Sequence, residues 1–382
     1  MDNSSKLNVD TILPFGDNLR PLVASTQILS DNDLKSFLSS KGIYTSHSDR
    51  DETVPLITMS LLSPLEFENL LEKQKEKESH AKRRNRYLEW TSDKTLFEVL
   101  KGINISLNDF IPQYSSNFDL IGQSALTPVN GDLNHLVLNY EIERTDHSKD
   151  MYLQHSSHNG SIELKLSDDK KTLNIAMEHT ADETHDLNEK CTNFIRDFLY
   201  TRNSVANNKT QKIVFADFDN ATRVKFFLNL LNTPLDKSGT FEFLKLTNIE
   251  ISVDAEASLP DNIKWMERKI ENMKFKGRAI HETELLQDPQ YHSSLILSAV
   301  RASYNFESLY SKGDCIFEFG FPGRGTIPPS DSEFVYKLIN FNFKSKTKAR
   351  NKVQGFLYGK FDEFKTIAYN VTKGNKEYIN KS

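Results

Sequence analysis

Glu163 and Lys165, in the stretch "SIELKLS", carry the sharpest chemical suggestion in the chain. On a strand, residues two apart share a face, so this Glu-x-Lys pair would point the same way. Restriction-type nucleases place such a pair on a strand. Carboxylates there hold Mg²⁺, and the lysine orients the attacking water. The further carboxylate would have to be Asp146 or Asp150, both in a polar loop rather than at a strand end. Without it, the pair is an ordinary exposed strand motif.

Other reactive residue types fall into weaker patterns. His147, His155 and His158 share one polar loop, and Glu178, His179 and His185 bracket a strand-to-helix junction. Neither group offers the three or four ligands at fixed spacing that a metal needs. "GFPGRGTIPPS" contains Gly320, Gly323 and Gly325, yet prolines rather than a helix follow, so it reads as a strand-connecting loop. Cys191 and Cys315 have no general base near them in sequence and match no zinc or CxxC spacing. No cofactor is implied.

Cationic runs are the remaining lead. "KQKEKESHAKRRNR" (73–86) holds seven Lys/Arg against two Glu, and its cationic end gathers Lys82, Arg83, Arg84 and Arg86. A second run, "NFNFKSKTKARNK" (340–352), ends in Lys344, Lys346, Lys348, Arg350 and Lys352. Both are candidate phosphate contacts. Solvated faces laced by Glu–Lys pairs would look the same.

The elements that must position these residues divide into three zones. To about residue 110 the pattern is helical. In "LSDNDLKSFLSSKGI", Ser30 is placed to cap, Leu34, Phe37 and Leu38 form one face, and Gly42 marks a left-handed stop. Ser63, Pro64 and Glu66 spell a capping box for a helix with Leu65, Phe67, Leu70 and Leu71 inward. The patch "TLFEVLKGI" is expected to fold back onto the same small core. Zone two, 111–255, alternates as strands in "HLVLNYEIER", "SIELKLS" and "KTLNIAMEH". A helix to about Tyr200, the strand "QKIVFADF", a helix capped by Asn220 and the strand "FLKLTNIEISV" follow. That order suggests helices on a mixed sheet. Zone three, 256–382, opens with the helical pattern "NIKWMERKIENM". "YHSSLILSAV" suits helix or strand, "DCIFEFGF" and "EFVYKLINFNF" are strands, and a helix through Val353, Leu357 and Phe361 closes it. Zones two and three could form one body. The expected class is α+β: a helical N-terminal module, a mixed-sheet α/β body, and an aromatic-rich strand and helix region.

Composition narrows the function. With 48 Lys+Arg against 53 Asp+Glu, the net charge is −5, so any nucleic-acid site must be local. No stretch of 18 apolar residues is present, and "MDNSSKLNVD" lacks the start of a signal peptide. A reducing cytoplasm is the expected compartment.

Two resemblances add to this. Leu34–Ile43 resembles the first helix of the SAP and helix-extension-helix family of DNA-binding modules, although "RDETVPLITMSLLS" stands without a lysine where that family has its second half. The combination of "LPFGDNLRPLV", "LNIAMEHTADETHDLN", "KIVFADFDNATRVKFFLNL" and "LPDNIKWMERKI" resembles the non-nuclease subunit of a two-component bacterial anti-phage defence system. This implies a hetero-oligomeric subunit that assembles with a nuclease-like partner and helps to sense or hold invading DNA. It brings no catalytic residues with it. Three readings follow: a DNA-sensing or regulatory subunit using the two cationic runs, a divergent metal-dependent nuclease using Glu163 and Lys165, and a pure assembly protein.

Overall fold

A computed structural model describes residues 13, 15–24, 29, 31–47, 49–70, 81–111, 117–145, 155–236, 239–254, 257, 260, 263–264, 273–277, 280–308, 311–323, 327–344 and 350–375. The N-terminal module packs α1 (Arg20–Ala24), α2 (Asp31–Ser40), α3 (Arg50–Thr58) and α4 (64–70) around Leu22, Leu34, Phe37, Leu38, Ile57, Phe67 and Leu70. Gly42 stops α2 at φ 76°, a conformation that costs glycine nothing. The capping box of α4 forms as its spelling requires: Ser63 N–H donates to Glu66 Oε2 at 2.7 Å, and Glu66 N–H donates to Ser63 Oγ at 3.3 Å. Leu65, expected inward, is instead exposed.

The rest builds one antiparallel sheet. Its strands are β1 (Lys82–Glu89), β2 (Phe118–Ile121), β3 (Thr127–Val129), β4 (Asp132–Thr145), β5 (His155–Leu166), β6 (Thr172–His179), β7 (Phe241–Val253), β8 (Met273–Lys276), β9 (Leu295–Glu307), β10 (Lys312–Gly320) and β11 (Val335–Lys344). The order across the sheet is β2-β4-β5-β6-β1-β11-β10-β9-β7-β8, with β3 on β4. The mixed sheet expected from element order is corrected, since every named pairing is antiparallel. Successive hairpins replace the helical crossovers that parallel strands need.

The two halves repeat one order. A short helix (α5, Leu96–Leu100) leads to outer strands, the meander β4-β5-β6 and a long helix (α6, Asp182–Thr201). Then α7 (Asn220–Leu231) leads to β7, the meander β9-β10-β11 and α10 (Arg350–Thr372); α8 (Glu284–Gln287) and α9 (Pro289–His292) precede β9. Strand β1 sits between the halves, and its alternating side chains show where the long helices lie. Arg84 and Arg86 reach His185 and Glu189 of α6, while Arg83, Asn85 and Tyr87 reach Asp362, Lys365 and Thr366 of α10. The helices therefore cover opposite faces. Leu187, Cys191, Ile195 and Leu199 of α6 pack on Leu138, Ile162, Leu164 and Met177; Leu357, Phe361 and Phe364 of α10 join Tyr304, Phe317 and Tyr336.

Several local expectations shift. The end of the 73–86 run is the central strand β1, so it is no solvated helix. Leu96, Val99 and Leu100 join the N-terminal half of the sheet rather than the helical module's core. "QKIVFADF" is not a ladder strand: Gln211 and Val214 make isolated bridges to Tyr87 and Glu333, and Phe215–Asp217 is a 3-10 turn. Asp219, not Asn220, caps α7, accepting from Thr222 N–H at 2.7 Å. "YHSSLILSAV" divides between α9 and β9. Ser30, Leu71 and most of "NIKWMERKIENM" lie outside the described residues.

Candidate functional site

Strand β1 concentrates the charged chemistry on both of its sides. Arg83 is buried and pairs with Glu163 at 2.6 Å, Glu178 at 2.5 Å and Asp362 at 3.0 Å. Arg86, also buried, pairs with Glu189 at 2.5 Å and Glu333 at 3.0 Å. Arg84 is half-buried, with Nη1 2.9 Å from His185 Nε2. Three of the four residues expected as surface cations at 82–86 are thus turned into the fold, two of them neutralised by carboxylates. Only Lys82 is exposed. A strand places side chains on both faces, and here both faces are covered next to β1.

Glu163 and Lys165 do share a face, in a cleft of about 630 Å³ between the sheet and α10. His135, Asn174, Lys360 and Asp362 also line it, and Gly355 and Gly359 leave open space along the helix. The Glu163 carboxylate is already engaged at both oxygens: Oε2 by Arg83 at 2.6 Å and Oε1 by His135 Nε2 at 2.6 Å. Burial pushes its pKa up, but Arg83 and the His135 bond outweigh that and hold it at about 2. Asp362 is similarly committed to Arg83, Lys365 and the Tyr336 hydroxyl. Asp146 and Asp150 lie outside the described residues, among which no group of three His, Cys, Asp or Glu stands ready for a metal.

The histidines expected in a loop belong to strands. His155 opens β5, and His158 is buried beside Ser156 Oγ at 3.0 Å. His179 ends β6, its ring packed against that of His185 at a 33° tilt with centroids 4.8 Å apart. Burial, with Arg84 close by, lowers the His179 pKa to about 2. Cys191 and Cys315 are buried in the cores, and burial raises the Cys191 thiol to about 12. His147 and Gly325 lie outside the described residues.

Strand pairing gathers on one face of the sheet lysines and arginines that are scattered in sequence, interleaved with Glu242, Glu250, Glu307, Asp314 and Glu318. In β9, β10 and β11 one set of side chains fills the core, and the alternate set faces away from α7 and α10. Arg301, Glu318 and Lys337 belong to that outer set, with Glu318 pairing both cations. Arg83 opposes Tyr336, so one step along the same register sets Lys82 opposite Lys337, and both line a cavity of about 230 Å³. Lys344 lies on this face about 20 Å further along β11, at roughly 3.3 Å per residue. Lys274 and Lys245 occupy neighbouring strands of the face, Lys274 pairing Glu250 at 2.5 Å. Among the described residues no carboxylate is within ion-pair range of Lys82, Lys245 or Lys344. Arg350 and Lys352 do not join them. They start α10 on the opposite face, where Arg350 stands 4.2 Å over the Phe341 ring. Lys346 and Lys348 lie outside the described residues. Arg301 and Lys337 were missed as site residues, although the alternation "VYKLIN" sets Lys337 opposite in phase to Tyr336 and Leu338.

Comparison with known proteins places one part of the chain. Residues 17–80 match the GAPS4b protein N-terminal domain. That match covers α1 to α4 and stops just before β1. No curated protein and no solved structure matches the chain. No helix among the described residues is long and apolar enough to cross a membrane.

Proposed function

We propose that this chain is a non-catalytic DNA-sensing or regulatory subunit of an anti-phage defence complex, with nucleolytic chemistry carried by a nuclease-like partner. The observation that carries the DNA-sensing part is the shared outward face of Lys82, Arg301, Lys337 and Lys344 on the C-terminal half of the sheet. Lys82 and Lys344 are exposed there, while Arg301 and Lys337 are half-buried and share Glu318. Cations on a firm sheet suit the sequence-independent phosphate term of nucleic-acid binding. The match of residues 17–80 to a GAPS4b N-terminal domain supports the defence-subunit part of this reading. A catalytic role for Glu163 gains no support from its surroundings, because Arg83 and His135 already occupy both carboxylate oxygens.

A second reading, assembly without DNA contact, is favoured by one observation: Arg83 and Arg86 act as internal stitches. The test is purification from the native operon, followed by DNA binding measured against salt concentration. Binding that weakens as salt rises, to a complex containing a nuclease-like chain, supports the first reading. A complex without DNA binding supports the second, and a chain with neither property overturns both.

A further inference from the structure

The helical module leaves large apolar side chains in water around one turn. Met59 is 77% exposed, Leu61 79% and Leu65 66%, all at the junction of α3 and α4, and Tyr44 is 82% exposed just beyond α2. Lys41 ties the regions together, its Nζ donating to Leu61 O at 2.9 Å and Glu66 Oε1 at 2.8 Å. Single exposed leucines are ordinary, but a cluster of this kind marks an interaction surface.

Its surroundings specify the chemistry of the partner. Between residues 31 and 70 the chain has seven acidic residues and three basic ones. Two of the three bases are engaged inside the module, Lys41 with Glu66 and Arg50 with Asp31. An acidic rim repels a phosphate backbone and attracts lysine and arginine. We propose that the α3–α4 turn is a protein-docking surface for a second chain that presents apolar side chains within a basic rim. Resting on the function proposed above, that chain is the nuclease-like partner. Met59, Leu61 and Leu65 supply the apolar centre; Glu68, one turn along α4 from Leu65, and Asp51 and Glu52, in the first turn of α3, supply the acidic flank.

The test co-expresses the full-length chain with the nuclease-like chain encoded beside it and measures complex mass and affinity. The Met59→Ser/Leu61→Ser/Leu65→Ser variant should bind about tenfold more weakly or worse, as loss of central anchors does, with its melting temperature unchanged. A single Leu61→Lys variant guards against misfolding and should weaken binding in the same direction. Asp51→Lys/Glu52→Lys/Glu68→Lys should slow association and flatten its salt dependence, whereas Lys82→Glu/Lys337→Glu/Lys344→Glu should leave affinity for the partner intact. If the wild type binds and the apolar variants bind equally well, the docking surface is wrong while the proposed function stands. A wild type that binds no nuclease-like chain removes the proposed function itself. If the apolar variants instead convert a homodimer to a monomer, the occupant is a second copy and the inference is overturned.

Discussion

Arg83 and Asp362, 279 residues apart in sequence, meet between the central strand and the last helix, with Arg83 Nη2 and Nε at 3.0 and 3.2 Å from Asp362 Oδ2. Both are buried. Burial alone would push the Asp362 pKa up, but Lys365 and Arg83 hold it below the usual carboxylate range. Breaking a buried pair by removing one partner costs about 3–5 kcal/mol, because the other charge stays buried. Asp362→Ala should therefore lower stability by about that much in urea unfolding. The double variant Arg83→Met/Asp362→Leu should cost clearly less than the sum of the single changes.

Glu163 and Lys165 should behave as unequal members of their cleft. Lys165 is exposed, so Lys165→Ala should change stability by no more than about 0.5 kcal/mol. Glu163→Gln should destabilise measurably at pH 7 by uncoupling Arg83 and His135. The carboxyl is held at about 2 in the fold against 4.5 when unperturbed, so its contribution is present above 4.5 and is lost as pH falls toward 2. The difference between wild type and Glu163→Gln in denaturation midpoint should shrink across that window. Neither change should alter nuclease turnover by the proposed complex; a loss of turnover with stability intact would restore the nuclease reading.

The cationic face makes a quantitative claim about salt. Each phosphate contact removed should make the log–log dependence of duplex binding on salt shallower by about 0.9. Lys82→Glu, Lys337→Glu and Lys344→Glu should each do this, measured by fluorescence anisotropy. Lys352→Ala, on the other face of the sheet, should leave the slope as it is.

Gly160 lies opposite Tyr140 across the β4–β5 pair, and a Cβ there would fall 2.3 Å from Tyr140 Cζ. Tyr140 is held in place by its hydroxyl, which donates to Thr184 O at 2.8 Å and Asn188 Oδ1 at 2.9 Å on α6. Gly160→Ala must displace the ring or the strand, an overpacking cost of about 1–3 kcal/mol. Thermal unfolding would register it, and Gly160→Ala/Tyr140→Leu should relieve part of the loss.

How far the sequence could be read depended on the range of the interactions involved. The stop at Gly42 and the capping box at Ser63 and Glu66 are local, and both formed as their residues spell them. The meanders were legible wherever one face is apolar, as in "HLVLNYEIER" with Leu136, Leu138, Tyr140 and Ile142 inward. Strand β1 was not. "KRRNRYLE" carries charge on both sides because its partners, Glu178, Glu333 and Asp362, arrive from far along the chain, and no local pattern announces a buried arginine. The cationic face was hidden for the same reason, since strand pairing rather than spacing brings Lys82 beside Lys337. Leu65, expected inward, misled in the opposite sense, and Met59 and Leu61 beside it are exposed too. Their apolarity reads as core, whereas the turn they occupy faces water.

His179 gives the molecule an acid sensitivity separate from its carboxylates. Its ring is buried at the end of β6, packed at a tilt against His185, with the Arg84 guanidinium also in contact with His185. Burial is the largest influence on it, and Arg84, His185 and Lys82 add like-charge repulsion, so its pKa drops from 6.5 to about 2. His185 is lowered as well, by burial and Arg84 against the opposing pull of Glu189, Asp186 and Glu333. Between pH 6.5 and 2 the unfolded chain binds a proton at position 179 that the folded chain refuses. Folding is then penalised progressively as pH falls below about 6.5, and full stability is present above it. His179→Phe removes the titrating ring and keeps an aromatic neighbour for His185. In urea unfolding from pH 7.5 to 5, the wild-type midpoint should fall more steeply than that of His179→Phe. Parallel slopes would place the acid sensitivity elsewhere.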